Sequence, residues 1–180
     1  SAIRWAVYHK AVGPGNTLVL NHGTTPTGGT GVWGNTDPTN SVYTVSNDGE
    51  SNKSGDDYIA YCFTSVLGFS QIGSYEGLNS GSRRPFVYTH FRPRWILIKN
   101  YTLATDWEIY DAVRSPTNIM KHRLYANLTD AEYSDDNQIS FFSNGFRIDS
   151  TTTGLNANSS NYLYAAFAEN PFSANGGLAR

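Results

Sequence analysis

Asn158-Ser-Ser-Asn-Tyr-Leu-Tyr-Ala-Ala-Phe167 opens on turn-forming residues and then becomes a tyrosine-rich apolar run. Turn residues followed by aromatic and aliphatic side chains mark a β-strand entered from a loop. The same pattern stands about a hundred positions earlier, in Ser54-Gly-Asp-Asp-Tyr-Ile-Ala-Tyr-Cys-Phe63. A second echo accompanies it, Trp5-Ala-Val-Tyr8 against Trp107-Glu-Ile-Tyr110. A period of this length exceeds a solenoid unit of roughly 20–50 residues and fits a tandem array of small domains.

The echo also places boundaries. In the later copy, Arg92-Pro-Arg-Trp-Ile-Leu-Ile-Lys-Asn100 precedes the tryptophan strand, whereas Trp5 stands near the start of the chain. Residues 67–172 therefore read as a complete β-repeat unit, residues 1–66 as an incomplete first unit, and residues 173–180 as a C-terminal tail. The opening strands that the first unit lacks would leave a sheet edge open, an aggregation liability that must be paired or covered. An alternative is that both parts merge into one sandwich.

Strand signals run along the whole chain. Runs rich in Val, Ile, Tyr, Phe and Trp occupy residues 4–8, 17–21, 41–45, 57–63, 70–75, 86–91, 94–99, 107–111, 123–127, 139–142, 146–148 and 162–168. Gly, Asn, Pro and Ser separate them. Short strands at this spacing predict an all-β antiparallel sandwich of the jelly-roll type, built from related tandem units. Trp95-Ile-Leu-Ile98 has the continuous apolar character of a central strand. Trp107, Ile109 and Asp111 alternate with Glu108 and Tyr110, so the two sets face opposite ways. Asn144-Gly145 between Phe142 and Phe146 signals a hairpin, read as a type I′ turn with φ > 0 at both central residues. Residues 129–136 offer at most one helical turn, with a loop preferred.

Composition narrows the class. Of 180 residues 39% are hydrophobic and 16% charged, with 12 Tyr, 9 Phe and 4 Trp. Few charges and many aromatics suit an extracellular or virion surface better than a cytosolic helical enzyme. A net charge of −2 leaves no basic footprint for nucleic acid. No apolar run approaches the roughly 18–20 residues of a membrane span, so no membrane insertion is expected. The Ser1 start reads as mature, processed or trimmed. The single cysteine, Cys62, cannot form an intrachain disulfide. Its echo is Ala166, which predicts a small buried side chain.

Candidate chemistry is sparse. Asp56-Asp57 and Asp135-Asp136 are adjacent carboxylates, but Asp56-Asp57 becomes Ser160-Asn161 in the later copy. Glu108 and Asp111 lie an odd number of positions apart and face opposite sides of a strand, so they cannot act as a glycosidase pair. Asp48, Asp56 and Asp57 could offer oxygen ligands to calcium, yet Asn47-Asp48-Gly49 is equally a turn and no EF-hand spacing exists. His9, His22, His90 and His122 lack zinc spacing. No nucleophile elbow, P-loop or dinucleotide fingerprint is present. No catalytic residue, metal or cofactor is assigned, and no enzyme activity is expected. Aromatic and basic residues near strand ends remain, and Trp33, Tyr75, Tyr101, Arg83 and Arg84 are the glycan-binding candidates. Trp5, Trp95 and Trp107 are assigned to the core or to subunit contacts.

Seven segments together carry a family resemblance: Trp5-Ala-Val-Tyr-His-Lys10, Trp33-Gly-Asn-Thr-Asp-Pro38, Gly55-Asp-Asp-Tyr-Ile-Ala-Tyr-Cys-Phe63, Gly73-Ser-Tyr75, Phe91-Arg-Pro-Arg94, Ser143-Asn-Gly-Phe146 and Tyr164-Ala-Ala-Phe-Ala-Glu-Asn-Pro-Phe172. In this order they resemble a repeat domain of unknown function found in tail and tail-fibre proteins of marine bacteriophages, often described as concanavalin- or laminin-G-like jelly rolls. The resemblance implies a virion structural role, with a homo-oligomer (trimeric in a fibre), other virion proteins and a host surface glycan as partners, on the virion surface or outside the cell. A secreted lectin-type carbohydrate-binding module and a polysaccharide depolymerase are the alternatives.

Overall fold

Twelve elements carry the chain: β1 (Ala6–Val7), β2 (Asn16–Val19), β3 (Thr27–Gly28), β4 (Ser70–Glu76), β5 (Phe86–Tyr88), β6 (Pro93–Asn100), β7 (Glu108–Asp111), β8 (Met120–Tyr125), β9 (Tyr133–Phe142), β10 (Gly145–Ile148), α1 (Thr153–Asn156) and β11 (Asn161–Ala168). They are taken from a computed structural model that describes residues 4–29, 31–79 and 83–171. The expected tail at residues 173–180 lies outside the described residues. No helix among the described residues is long and apolar enough to cross a membrane.

The architecture is almost entirely antiparallel β. Strands β4 to β11 form one eight-stranded sheet in the order β4-β11-β6-β7-β8-β9-β10-β5, and β1-β2-β3 form a second, small sheet. Period-2 alternation explains how the large sheet makes a core. Tyr162, Tyr164, Ala166 and Ala168 of β11 point inward with Ile96 and Ile98 of β6, Tyr110 of β7 and Phe146 and Ile148 of β10. The sheet curls on itself: Phe146, near one end of the strand order, meets Tyr75 of β4 at 6.4 Å and Tyr164 of β11 at 5.4 Å between ring centroids. Strands from the two ends thus become the two walls of a sandwich.

The small sheet lies on the outer face of the large one. Leu18 of β2 packs against Trp107 and Leu163, with Val7, Leu20, Leu97 and Tyr101 around them. The Trp107 indole Nε1 donates to the carbonyls of Val19 at 2.9 Å and His22 at 3.2 Å. This explains the alternation around β7. Glu108 and Tyr110 face the sandwich interior, while Trp107 is buried on the opposite face beneath the small sheet. Trp107 is a core residue as expected, and Trp95 is half-buried. Trp5 is exposed and lies outside the core.

Three further local expectations meet the structure differently. The β9–β10 hairpin forms with Phe142 opposite Gly145, so Ser143 and Asn144 make the turn. Neither has positive φ. Gly145 is needed for another reason: a Cβ there would run into the carbonyl oxygen of Val87 on β5. Residues 129–132 are irregular and Tyr133 already begins β9, so no helical turn forms there. Between Met120 and His122 the partner in β9 moves from Ile139 to Ser134, a bulge that leaves residues 135–138 of β9 opposite Lys121 alone.

Candidate functional site

Two expected strands do not form. Residues 41–45 run as loop, with Val42 and Tyr43 exposed. Residues 57–63 are the more informative case. Their echo, Asn161-Tyr-Leu-Tyr-Ala-Ala-Phe167, is an interior strand hydrogen-bonded to β4 on one side and β6 on the other. Tyr162 stands opposite both Tyr75 and Asn100, and Phe167 opposite both Ser70 and Trp95. Residues 57–63 carry the same strand-forming side chains and have neither neighbour.

The consequence is an apolar run open to solvent. Ile59 is 67% exposed, Tyr61 66% and Phe63 66%. No backbone hydrogen bond joins Ile59, Ala60, Tyr61 or Cys62 to any described residue. Among the described residues, the segment's hydrogen bonds and ring contacts lie at its ends. The Tyr58 hydroxyl donates to the Gly49 carbonyl at 3.0 Å. Phe63 packs edge-on against Phe167 at 5.7 Å. Just beyond, Ser70 Oγ donates to the Thr64 carbonyl at 2.7 Å. Cys62 was expected to be buried, as Ala166 is, but it is exposed, because its strand has no partner to enclose it.

The glycan-binding candidates scatter. Trp33 is half-buried and meets Tyr8 edge-on at 6.0 Å, with its indole Nε1 without a hydrogen-bond partner among the described residues. Tyr75 belongs to the core: its ring stacks on Tyr162 at 4.8 Å and its hydroxyl donates to the Leu155 carbonyl at 2.8 Å. Tyr101 packs at the edge of the Trp107 cluster between the sheets. Arg83 is exposed, and Arg84 lines a polar cavity of about 540 Å³ with Asp135, Asp136, Gln138 and Arg147. The five do not converge on one surface.

The weak calcium candidates also separate into local roles. Asp48 accepts from the Glu50 backbone N–H at 2.8 Å, which is the turn reading. Asp56 pairs with Lys53 at 3.2 Å, and Asp57 is exposed beside it. No group of three or more metal-ligating His, Cys, Asp or Glu side chains exists among the described residues.

A polar group that the sequence reading passed over sits at one end of the sandwich. Glu108 Oε2 accepts from the Tyr110 hydroxyl at 2.6 Å. Arg123 Nη1 donates to Gln138 Oε1 at 3.1 Å and lies 3.9 Å from Glu108 Oε2. Burial pushes the Glu108 carboxyl above its ordinary range, and the Tyr110 hydroxyl and Arg123 pull it back. Gly154 of α1 is pressed against the carboxylate, and any Cβ there would collide with Oε1. The sequence carries a signal for this group: Asp106, Glu108 and Tyr110 differ by even steps and so share a face.

Comparison with known proteins places the chain in a family. Residues 1–171 match the model described as "Domain of unknown function (DUF7483)", and the chain belongs to that family. No curated protein and no solved structure matches it.

Proposed function

We propose that this DUF7483 member is an assembly module of a bacteriophage virion surface, in a tail fibre or similar appendage, and that it joins its neighbours by β-strand addition along residues 57–63. The observation that carries the reading is the unpaired strand itself. Its echo in the same chain is a doubly paired interior strand, whereas residues 57–63 present both backbone edges and the apolar side chains of Ile59, Tyr61 and Phe63 to solvent. Strand addition uses such an edge directly: main-chain hydrogen bonds give affinity and alternate side chains give specificity. The low charge, the aromatic content and the resemblance to phage tail repeats support a virion setting.

The test is assembly state. The chain is expected to form a stable homo-oligomer on light scattering at micromolar concentration, trimeric in a fibre. Tyr61→Pro removes a backbone donor from the middle of the segment without touching a hydrogen bond of the isolated fold. It is expected to yield a monomer with an unchanged melting temperature. A wild-type chain that stays monomeric, or a Tyr61→Pro variant that assembles as before, overturns the reading.

A further inference from the structure

The end of the sandwich that holds Glu108 carries an open hollow of about 350 Å³, within the size range of small-ligand sites. Asp106, Glu108, Arg123 and Tyr125 line it together with Thr105 and Thr153. Thr152 lies in its wall and also in that of the 540 Å³ cavity beside it, so the two adjoin.

Two of its polar groups are unused. Glu108 is 4% and Arg123 8% exposed. Arg123 spends Nη1 on Gln138, yet its Nε is buried with no hydrogen-bond partner in the described structure. Thr105 Oγ1 is likewise buried and unpartnered. Burying polar groups without partners is costly, by roughly 1–3 kcal/mol each, and a ligand that satisfies them recovers that cost. The guanidinium is also held in place: it lies 4.5 Å from the centroid of Tyr133 and 5.4 Å from that of Tyr125, so it cannot turn freely to seek another acceptor.

The lining selects the ligand class. Asp106, one of whose oxygens accepts from Asn127 at 2.7 Å, and Glu108 line the hollow with Arg123, and two carboxylates beside a single guanidinium disfavour phosphate, sulfate and carboxylate groups. A bare cation would meet Arg123, and no three-ligand cluster exists among the described residues. A neutral polyol both donates and accepts at each hydroxyl, matching carboxylate acceptors, threonine hydroxyls and an arginine donor at once. Tyr125 adds an aromatic wall to this polar set.

We propose that this cavity binds a neutral hexose unit of a saccharide chain, with further units of the chain reaching the adjoining cavity past Thr152. The Arg123 Nε–H and the Thr105 hydroxyl donate to sugar oxygens, and the Asp106 and Glu108 side chains accept from sugar hydroxyls. The site is separate from the strand at residues 57–63 and does not depend on assembly.

The experiment is a glycan array carrying neutral, uronate and sulfated oligosaccharides. Calorimetry with the best neutral tetrasaccharide follows, on the wild-type chain and on Tyr61→Pro. Arg123→Met removes a brace of the β8–β9 region and risks unfolding, so Thr105→Val carries the test. Removing an unpartnered hydroxyl leaves stability unchanged or raised. It is expected to weaken neutral-saccharide binding roughly three- to tenfold, the worth of one hydrogen bond. Absence of neutral-saccharide binding by the folded chain, equal affinity of Thr105→Val, or preference for uronate or sulfated glycans overturns the proposal. Failure of Tyr61→Pro to dissociate bears only on the assembly reading.

Discussion

Phe63 and Phe167 meet edge to face with ring centroids 5.7 Å apart. They also occupy the same position in the two echoed segments of the sequence. Phe167 is a ladder residue opposite Ser70 and Trp95, while Phe63 ends a segment with no ladder. Residues 57–63 are exposed throughout.

Cys62 reports on that segment. In the isolated chain it is exposed, and a thiol reagent is expected to modify it at the rate of a free cysteine. If residues 57–63 pair on assembly as proposed, Cys62 is expected to become enclosed as Ala166 is in β11, and labelling to slow at least tenfold. Equal labelling rates in monomer and oligomer fractions count against pairing at this strand.

Trp107→Phe tests the joint between the sheets. The phenyl ring keeps most of the buried surface but loses the donor to Val19 and His22. A loss of roughly 1–3 kcal/mol in unfolding free energy is expected from acceptors left unpaired. Trp5→Phe, at an exposed position, is the control and should stay within about 0.5 kcal/mol. Denaturant unfolding of the two variants makes the comparison.

Gly145→Ala separates close approach from turn conformation. A methyl group there meets the Val87 carbonyl, so β10 and β5 must part, at a cost of roughly 1–3 kcal/mol. At Gly49 an added Cβ meets nothing within 4 Å, and Gly49→Ala is expected to be nearly neutral. Equal melting temperatures for the two variants would refute the steric argument.

Lys99 gives stability a pH dependence. It is buried beneath the small sheet, where Nζ donates to the Asn100 carbonyl at 2.6 Å. Burial pushes its ammonium down to about 8 from 10.5, with Asp106 pulling it back up. Between those values the unfolded chain holds more protons than the folded one, so stability rises with pH across that window. Below about 8 both states are charged and the cost of the buried charge is fully present. Lys99→Met is expected to be the more stable protein at pH 7, with its advantage over wild type shrinking from pH 8 upward. Urea midpoints of both proteins at pH 7, 8, 9 and 10 show whether the difference closes.

Much of the fold was legible because strand character is local. Ten of the twelve expected strands overlap an observed one, and the two failures at residues 41–45 and 57–63 have different causes. At residues 41–45 the backbone turns instead: the Thr39 Oγ1 accepts from the N–H groups of Ser41 at 3.3 Å and Val42 at 3.1 Å. At residues 57–63 the strand character is intact and the partner is missing, and a strand is completed only by a neighbour. The candidate site was far less legible. Of the residues singled out for glycan binding, Arg84 alone lines either cavity, and the group around Glu108 and Arg123 depends on the pairing of β7 with β8 and on the β9 bulge.

The sequence by itself determined the all-β class, most of the run of strands, the hairpin at residue 145 and the strand-like composition of residues 57–63. These follow from propensity and period 2, which operate within a few residues. Only the tertiary structure decided which face of each strand met which neighbour. Period 2 says that Trp107 and Glu108 point opposite ways; it took the curl of the large sheet and the docking of β2 to put Glu108 at a cavity and Trp107 under a second sheet. The same holds for residues 57–63, whose strand character is local and whose want of partners is a property of the folded whole.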